Sequence, residues 1–374
     1  MICNRIEITD FRNIASADVT FDPGVNLLWG DNAQGKTNLL EAICYTALGK
    51  SFRPVKDAEV IRFGADSATV VNHFSDSLRE QTIRFSLTPG KARRVEQNGV
   101  KVVRMSDMVG SFRVVLFCPE HLSLIQGGGD LRRSFLNVAL SQLRPLYLQS
   151  MQRYNKILKE RNRLLKLAKE DMQTFRATEP MWSSQLAHEA AVIADHRDRY
   201  IALVNEAVRV SFADMTSEKE IPELTYVNSL KATGDALRDR EAVEARYLEL
   251  LSTRHDSEIA AGATLYGIHR DDIAVTLNGR PARLYASQGQ QRSLALAMKL
   301  AEGELCRRLG GGEMPVFLFD DVLSELDAHR RAYLISRMEG RQVIMTACDP
   351  TARELARGNI RTIRVTDGAY SDAV

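Results

Sequence analysis

Residues 25–40, VNLLWGDNAQGKTNLL, constrain this chain more than any other stretch. Gly30, Gly35, Lys36 and Thr37 fall at the spacing GxxxxGK[ST], the pattern of a phosphate-binding loop. The pattern needs a strand before it and a helix after it. Leu27, Leu28 and Trp29 supply the apolar run of a buried strand; Leu39, Leu40, Ala42 and Ile43 supply the inner face of a helix. The two glycines let successive backbone N–H groups curl towards phosphate oxygens, and the helix N-terminus adds its free N–H groups and dipole. Lys36 can reach terminal phosphates, and the Thr37 hydroxyl can ligate magnesium.

The chain has 374 residues, which calls for two domains or a core with a large insertion. A net charge of +2 predicts no global attraction to nucleic acid, so any basic footprint must be local. The five cysteines show no CxxC spacing, hence no disulfide framework or zinc site, as suits a reducing cytoplasm. No apolar stretch approaches a membrane span, and a membrane or secreted protein is not expected.

Alternation predicts strands over 2–9 and 16–21, then short strands over 67–74, 81–87 and 93–103 that form an antiparallel sheet beside the nucleotide core. Residues 114–117 read as another apolar strand. From 131 to 212 the pattern turns helical. Leu143, Tyr147, Met151, Tyr154, Leu158, Leu165 and Ala168 recur at helical spacing, with Arg161 in the gap. Residues 185–211 repeat this, and a third helix is expected over 235–252. The expected division is a head, 1–129 with 261–374, and an inserted helical arm, 130–260.

The first arm helix carries Arg153, Lys156, Lys159, Arg161, Arg163, Lys166 and Lys169 against Glu160 and Glu170. Two readings stand: a solvated face, or a surface for DNA phosphates with Lys156, Lys159, Arg163 and Lys166 as its contacts. Further on, Ser287 followed by Gln290 has capping-box spacing at the start of a helix over 290–309. Residues 315–319 form an apolar strand closed by Asp320 and Asp321, where a Walker B magnesium ligand sits. Residues 342–347 and 362–365 complete a mixed sheet, the latter as an edge strand.

Ser287-Gln-Gly289-Gln290, lying between a phosphate loop and an Asp320–Asp321 strand, resembles the signature of ABC ATPases. The set FRN (11–13), GDNAQGKTNLLEAI (30–43), GKSFR (49–53), LFCPEHL (116–122), HRDD (269–272), YASQGQQRSLALAMKLAE (285–302) and FLFDDVLSELD (317–327) resembles the RecF family, of the SMC-like branch. The fold this implies is α/β: an ABC-type head with mixed sheets and an inserted antiparallel helical domain.

The resemblance also implies a mechanism. Two heads close on two ATP molecules, so that Ser287, Gly289 and Gln290 of one copy meet the phosphate held by Lys36 of the other. Gly30, Asp31, Asn32, Gln34, Gly35, Lys36, Thr37 and Asn38 would hold the nucleotide, with Arg12 and Asn13 near its phosphates. Asp320 and Thr37 would hold Mg2+, Asp321 would orient the attacking water, and Ser324 and Asp327 would lie at the dimer seam. Most ABC ATPases have Glu where Asp321 stands, so slow hydrolysis is implied. No switch histidine stands near Thr346, which would take its place. Ile268 replaces the family's proline, and His121 and Asn137 replace its aspartates. Family members bind double-stranded and gapped DNA, work with RecR and RecO, and promote RecA loading in DNA repair, replication and the SOS response. The rivals are an SMC-like DNA-end-processing ATPase, an ABC transporter subunit and a non-hydrolysing scaffold that binds ATP.

Overall fold

The computed structural model describes residues 1–216, 220–348 and 360–372. In chain order, β1 (Ile2–Phe11), β2 (Ile14–Thr20) and β3 (Val25–Trp29) lead into α1 (Lys36–Leu48). Next come β4 (Ala68–Ser75), β5 (Glu80–Leu87), β6 (Arg94–Gln97), β7 (Val100–Lys101), the short α2 (Met105–Met108) and β8 (Val114–Phe117). The helices α3 (Gly129–Leu143), α4 (Pro145–Leu167) and α5 (Met172–Thr216) follow. After them are β9 (Pro222–Val227), α6 (Arg240–Thr253), α7 (His255–Ala261), β10 (Asp272–Leu277), β11 (Arg280–Pro281) and α8 (Ala282–Tyr285). The chain continues through α9 (Gln288–Leu309), β12 (Val316–Asp320), α10 (Ala328–Arg337), β13 (Val343–Ala347), β14 (Ile360–Thr366) and β15 (Ala369–Asp372). It forms two compact units, Met1–Ser123 with Ala295–Val374, and Leu124–Leu294.

The first unit holds a sheet of order β15-β14-β3-β13-β12-β8. The five strands from β14 to the β8 edge are parallel, and β15 pairs antiparallel with β14. Every residue of β8 and β12 is buried, which is why these strands read as unbroken apolar runs. Asp320 pairs with Thr346 and Trp29 with Ala347, so the carboxyl ends of β3, β12 and β13 finish together. In parallel α/β sheets, ligands bind outside those ends. The antiparallel sheet has order β2-β1-β4-β5-β6-β7. Tyr45 of α1 packs edge-on against Phe85 of β5 at 5.2 Å and Phe11 of β1 at 6.1 Å, joining the helix to that sheet.

β14 is not an edge strand as expected. The Asp367–Gly368 turn folds β15 onto its outer side, and β15, AYSD, is too polar to register as a strand in an apolar pattern.

In the second unit α4 buries Tyr147, Ser150, Tyr154, Ile157, Arg161 and Leu165, a stripe at three- and four-residue steps. Leu143 belongs to α3 rather than to this helix. Arg144 is extended and Pro145 opens α4, where its missing N–H costs nothing. The second long helix starts earlier than expected and holds Pro180 within it. Arg161, which fills the gap in the apolar stripe while adding to the basic run, is fully buried. It donates to Glu179 (3.0 Å), Glu258 (2.7 Å), Thr264 (2.8 Å) and Ser183 (2.9 Å). Arg197 of α5, also buried, donates to Asp271 (3.0 Å), Asn137 (3.0 Å) and the Ile268 carbonyl (2.6 Å). Arg132 makes two bonds to Asp272, at 2.6 and 2.9 Å. These bonds tie residues 264–272 to α3, α4 and α5, so the second compact unit extends beyond 260. The HRDD acids are its internal struts.

Candidate functional site

Residues 30–35 link β3 to α1 as a loop whose shape depends on its glycines. Gly30 has φ +152°, and a Cβ there would meet the Val365 carbonyl. Gly35 has φ +114° and forms the N-cap of α1; a Cβ there would press on Asn13 and Tyr370. The loop is tied to the β14–β15 hairpin. The Tyr370 hydroxyl donates to the Gly35 carbonyl (3.0 Å), the Asp367 N–H to Gln34 Oε1 (2.5 Å), and the Gly368 N–H to the Gln34 carbonyl (2.9 Å).

Lys36 is buried, and its Nζ donates to the carbonyls of Gly30 (2.5 Å) and Asp31 (2.7 Å). The Thr37 hydroxyl donates to Asp320 Oδ1 at 2.7 Å, across 283 residues of sequence. Thr346, at the end of β13, donates to the same Asp320 oxygen (3.0 Å) and accepts from the Asp321 N–H (2.9 Å). Its hydroxyl therefore fixes both acids. Asp321 has φ +52°, left-handed backbone that turns the chain sharply out of β12. Burial pushes the Asp320 carboxyl above its ordinary pKa, against the bonds from Thr37 and Thr346 and the charge of Arg53.

These groups surround a cavity of about 220 Å³ lined by Asn32, Ala33, Gly35, Lys36, Thr37, Asn38, Arg53, Asp321, Thr346 and Cys348. Arg12 is not among the lining residues. Its guanidinium holds the buried Glu41 (2.6 Å) and the Glu59 carbonyl (3.0 Å). Asn13 accepts from Asn38 Nδ2 at 2.8 Å.

Ser287, Gly289 and Gln290 lie in the second unit, at the start of α9. The Ser287 N–H donates to Gln290 Oε1 (2.6 Å) and the Gln290 N–H to Ser287 Oγ (3.2 Å), a reciprocal capping box with the Ser287 side chain exposed. Gln290 Nε2 also donates to Glu220. Ser324 and Asp327 are exposed on the turn after β12; Ser324 donates to the Asp321 carbonyl (2.7 Å), and Asp327 caps α10 through the Arg330 N–H (2.9 Å). Lys156, Lys159, Arg163 and Lys166 are exposed along α4, and none pairs with an acid among the described residues. Arg153 instead pairs with Glu189, and Lys169 donates to the Ala260 carbonyl.

Sequence reasoning does not single out Arg53, Glu41 or Cys348 as site residues. The run GKSFR flags Arg53 as a base in a loop after the helix, but nothing local points it at the cavity. Glu41 and Cys348 carry no local signal at all.

The chain matches the model of the RecF/RecN/SMC N-terminal domain over residues 2–371. It is 35% identical to the DNA replication and repair protein RecF of Clostridium novyi, over 99% of this chain and 100% of that protein. It is 37% identical to RecF of Acidothermus cellulolyticus, over 92% and 93% respectively. The solved structure of the recombination mediator protein RecF-ATPrS in the RecFOR pathway superposes with a TM-score of 0.92 at 30% identity, covering 100% of this chain and 98% of that one. The Smc head bound to the C-winged helix domain of ScpA shares the fold, with a TM-score of 0.57 at 14% identity. The fold is thus the α/β fold of ABC ATPase heads, and the chain belongs to the RecF family.

Proposed function

We propose that the chain is an ATP-dependent DNA-binding recombination mediator of DNA replication and repair, with a slow, DNA-stimulated ATPase. The observation that carries the reading is the set of bonds joining Thr37, Asp320, Thr346 and Asp321 beside the Lys36 loop. Lys36 would exchange the Gly30 and Asp31 carbonyls for phosphate oxygens. The loop's N–H groups and the start of α1 hold the remaining phosphate charge. Asp321 lines the cavity with its backbone fixed by Thr346, and it would orient the attacking water.

Mg2+ fits the residues present. Thr37 Oγ1 and Asp320 Oδ1, 2.7 Å apart, are the hard oxygen donors it takes. Among the described residues no group of three or more His, Cys, Asp or Glu is placed to hold a metal ion by itself, so phosphate and water would complete its shell. Bound there, it would supply neutralisation of charge on the phosphate oxygens.

In this reading residues 1–129 and 261–374 work as the head and 130–260 as the arm. Two heads close on ATP, with Ser287 and Gly289 of one copy against the nucleotide of the other, and Ser324 and Asp327 at the seam. The exposed Ser287 at an ordered helix N-terminus supports this, being a ready anion site. Lys156, Lys159, Arg163 and Lys166 would contact DNA phosphates, duplex or gapped, without base specificity. RecR and RecO are the proposed partners in promoting RecA loading at single-strand gaps. No helix among the described residues is long and apolar enough to cross a membrane.

The test is gel filtration and DNA binding of wild type, Lys36→Met and Ser287→Arg, with and without ATP and Mg2+. An ATP-induced dimer with ATP-enhanced DNA binding, abolished in both variants, is expected. A wild-type monomer with unchanged DNA affinity in ATP would overturn the clamp.

A further inference from the structure

The β14–β15 hairpin touches the phosphate loop at both ends. Val365 and Tyr370 face each other across the hairpin. The Val365 carbonyl lies against Gly30, where the loop begins, and the Tyr370 hydroxyl donates to the Gly35 carbonyl (3.0 Å), where it ends. The Asp367–Gly368 turn adds its two N–H bonds to Gln34, at 2.5 Å to Oε1 and 2.9 Å to the carbonyl. On its other side the turn is backed by Asn13: a Cβ on Gly368 would come within 2.9 Å of the Asn13 carbonyl. The hairpin is thus wedged between the loop and the turn joining β1 to β2.

These bonds fall on two consecutive carbonyls, those of Gln34 and Gly35. In a planar trans peptide the C=O and the following N–H point to opposite sides. Fixing both carbonyls on the hairpin therefore turns the N–H groups of Gly35 and Lys36 the other way, to the side of the cavity that both residues line. Neither N–H has a hydrogen-bond acceptor among the described residues. The Gly35 carbonyl also accepts the Leu39 N–H (3.0 Å), the first bond of α1, so Tyr370 occupies its second lone pair. Burial raises the pKa of the Tyr370 hydroxyl above its ordinary value, which keeps it a donor.

We infer that Tyr370 is a positioning residue for nucleotide binding: with the Asp367–Gly368 turn it presets the loop's N–H groups to face phosphate before any nucleotide arrives. This rests on the ATP-binding reading above. Tyr370 touches no phosphate itself. Without this clasp the glycines of the loop open other conformations to it, and nucleotide binds only the fraction whose N–H groups are turned inward. The nest so formed recognises phosphate and not base. Its loss therefore falls equally on ATP, ADP and inorganic pyrophosphate.

Calorimetric titration of the full chain with ATP, ADP and pyrophosphate, each with Mg2+, tests this on Tyr370→Phe, which removes only the hydroxyl. Affinity for all three should fall by one factor, about fivefold, as for the loss of one neutral hydrogen bond. Heat unfolding without nucleotide should shift by less than about 2 °C in a chain of this size. Hydrogen exchange should quicken in the peptide spanning residues 30–36 alone. Steady-state hydrolysis should show a raised KM with kcat unchanged, because the nest grips substrate and transition state alike. Wild-type affinities in Tyr370→Phe overturn the proposal, and so does a loss confined to ATP. A larger fall in unfolding temperature with exchange quickened throughout the sheet marks a merely structural bond and also overturns it. Failure of the underlying reading looks different, with wild type and Lys36→Met binding ATP equally.

Discussion

Thr346 shows how much one hydroxyl can organise. It donates to Asp320 and accepts from the Asp321 N–H, so it sets both acids at the end of β12. Thr346→Val keeps the shape and removes both bonds. We expect ATP affinity within about twofold of wild type and turnover lowered about tenfold or more, as for the removal of a group that acts only in positioning; single-turnover hydrolysis checks it. His269 gives a second prediction at this scale. Burial lowers its pKa from 6.5 to about 4, while Tyr154 (2.7 Å) and the Thr264 carbonyl (3.0 Å) hold the ring. The unfolded chain then binds more protons between those values, so this contribution to stability is complete above pH 6.5 and is lost as pH falls through about 4. Asp271, raised by burial to about 6, has the opposite sign: its contribution is present below the ordinary carboxylate range and is lost as pH rises through about 6. His269→Gln should therefore lose less thermal stability than wild type between pH 7 and pH 5.

At the scale of elements, the arm depends on polar struts. Arg161→Met would leave Glu179 and Glu258 buried without their cation, at a cost of about 3–5 kcal/mol. Urea unfolding followed by the fluorescence of Trp182 in α5 measures this directly. The same residue explains where reading by periodicity stops. Arg161 occupies an apolar position of α4, and only Glu179, Glu258 and Thr264, brought in from α5 and beyond, make its burial tolerable. The phosphate loop, the Walker B strand and the Ser287–Gln290 cap are legible because each is a short run with a local cause. β9 is not, being six residues that open with Pro222 and gain strand identity only by pairing with β10. Arg53 and Glu41 acquire their roles through neighbours that a linear pattern does not contain, and Thr346 stands out in the sequence only through the family resemblance.

At the scale of the whole molecule, a charge of +2 hides a directed distribution. The fold engages Arg153, Arg161 and Lys169 internally and leaves Lys156, Lys159, Arg163 and Lys166 outward on one helix. Changing those four to Gln should weaken DNA binding similarly at every sequence and reduce the salt slope by up to about 0.9 for each phosphate no longer neutralised. Unchanged affinity and slope would mean a solvated face. The clasp on the phosphate loop also has a consequence for biosynthesis. Tyr370 reaches Gly35 across 335 positions, so the ribosome makes the clasp on the order of half a minute after the loop it secures. A chain stopped before Asp367 would leave the translation machinery with a loop that lacks these three bonds, and full nucleotide grip would arrive only once the β14–β15 hairpin is made.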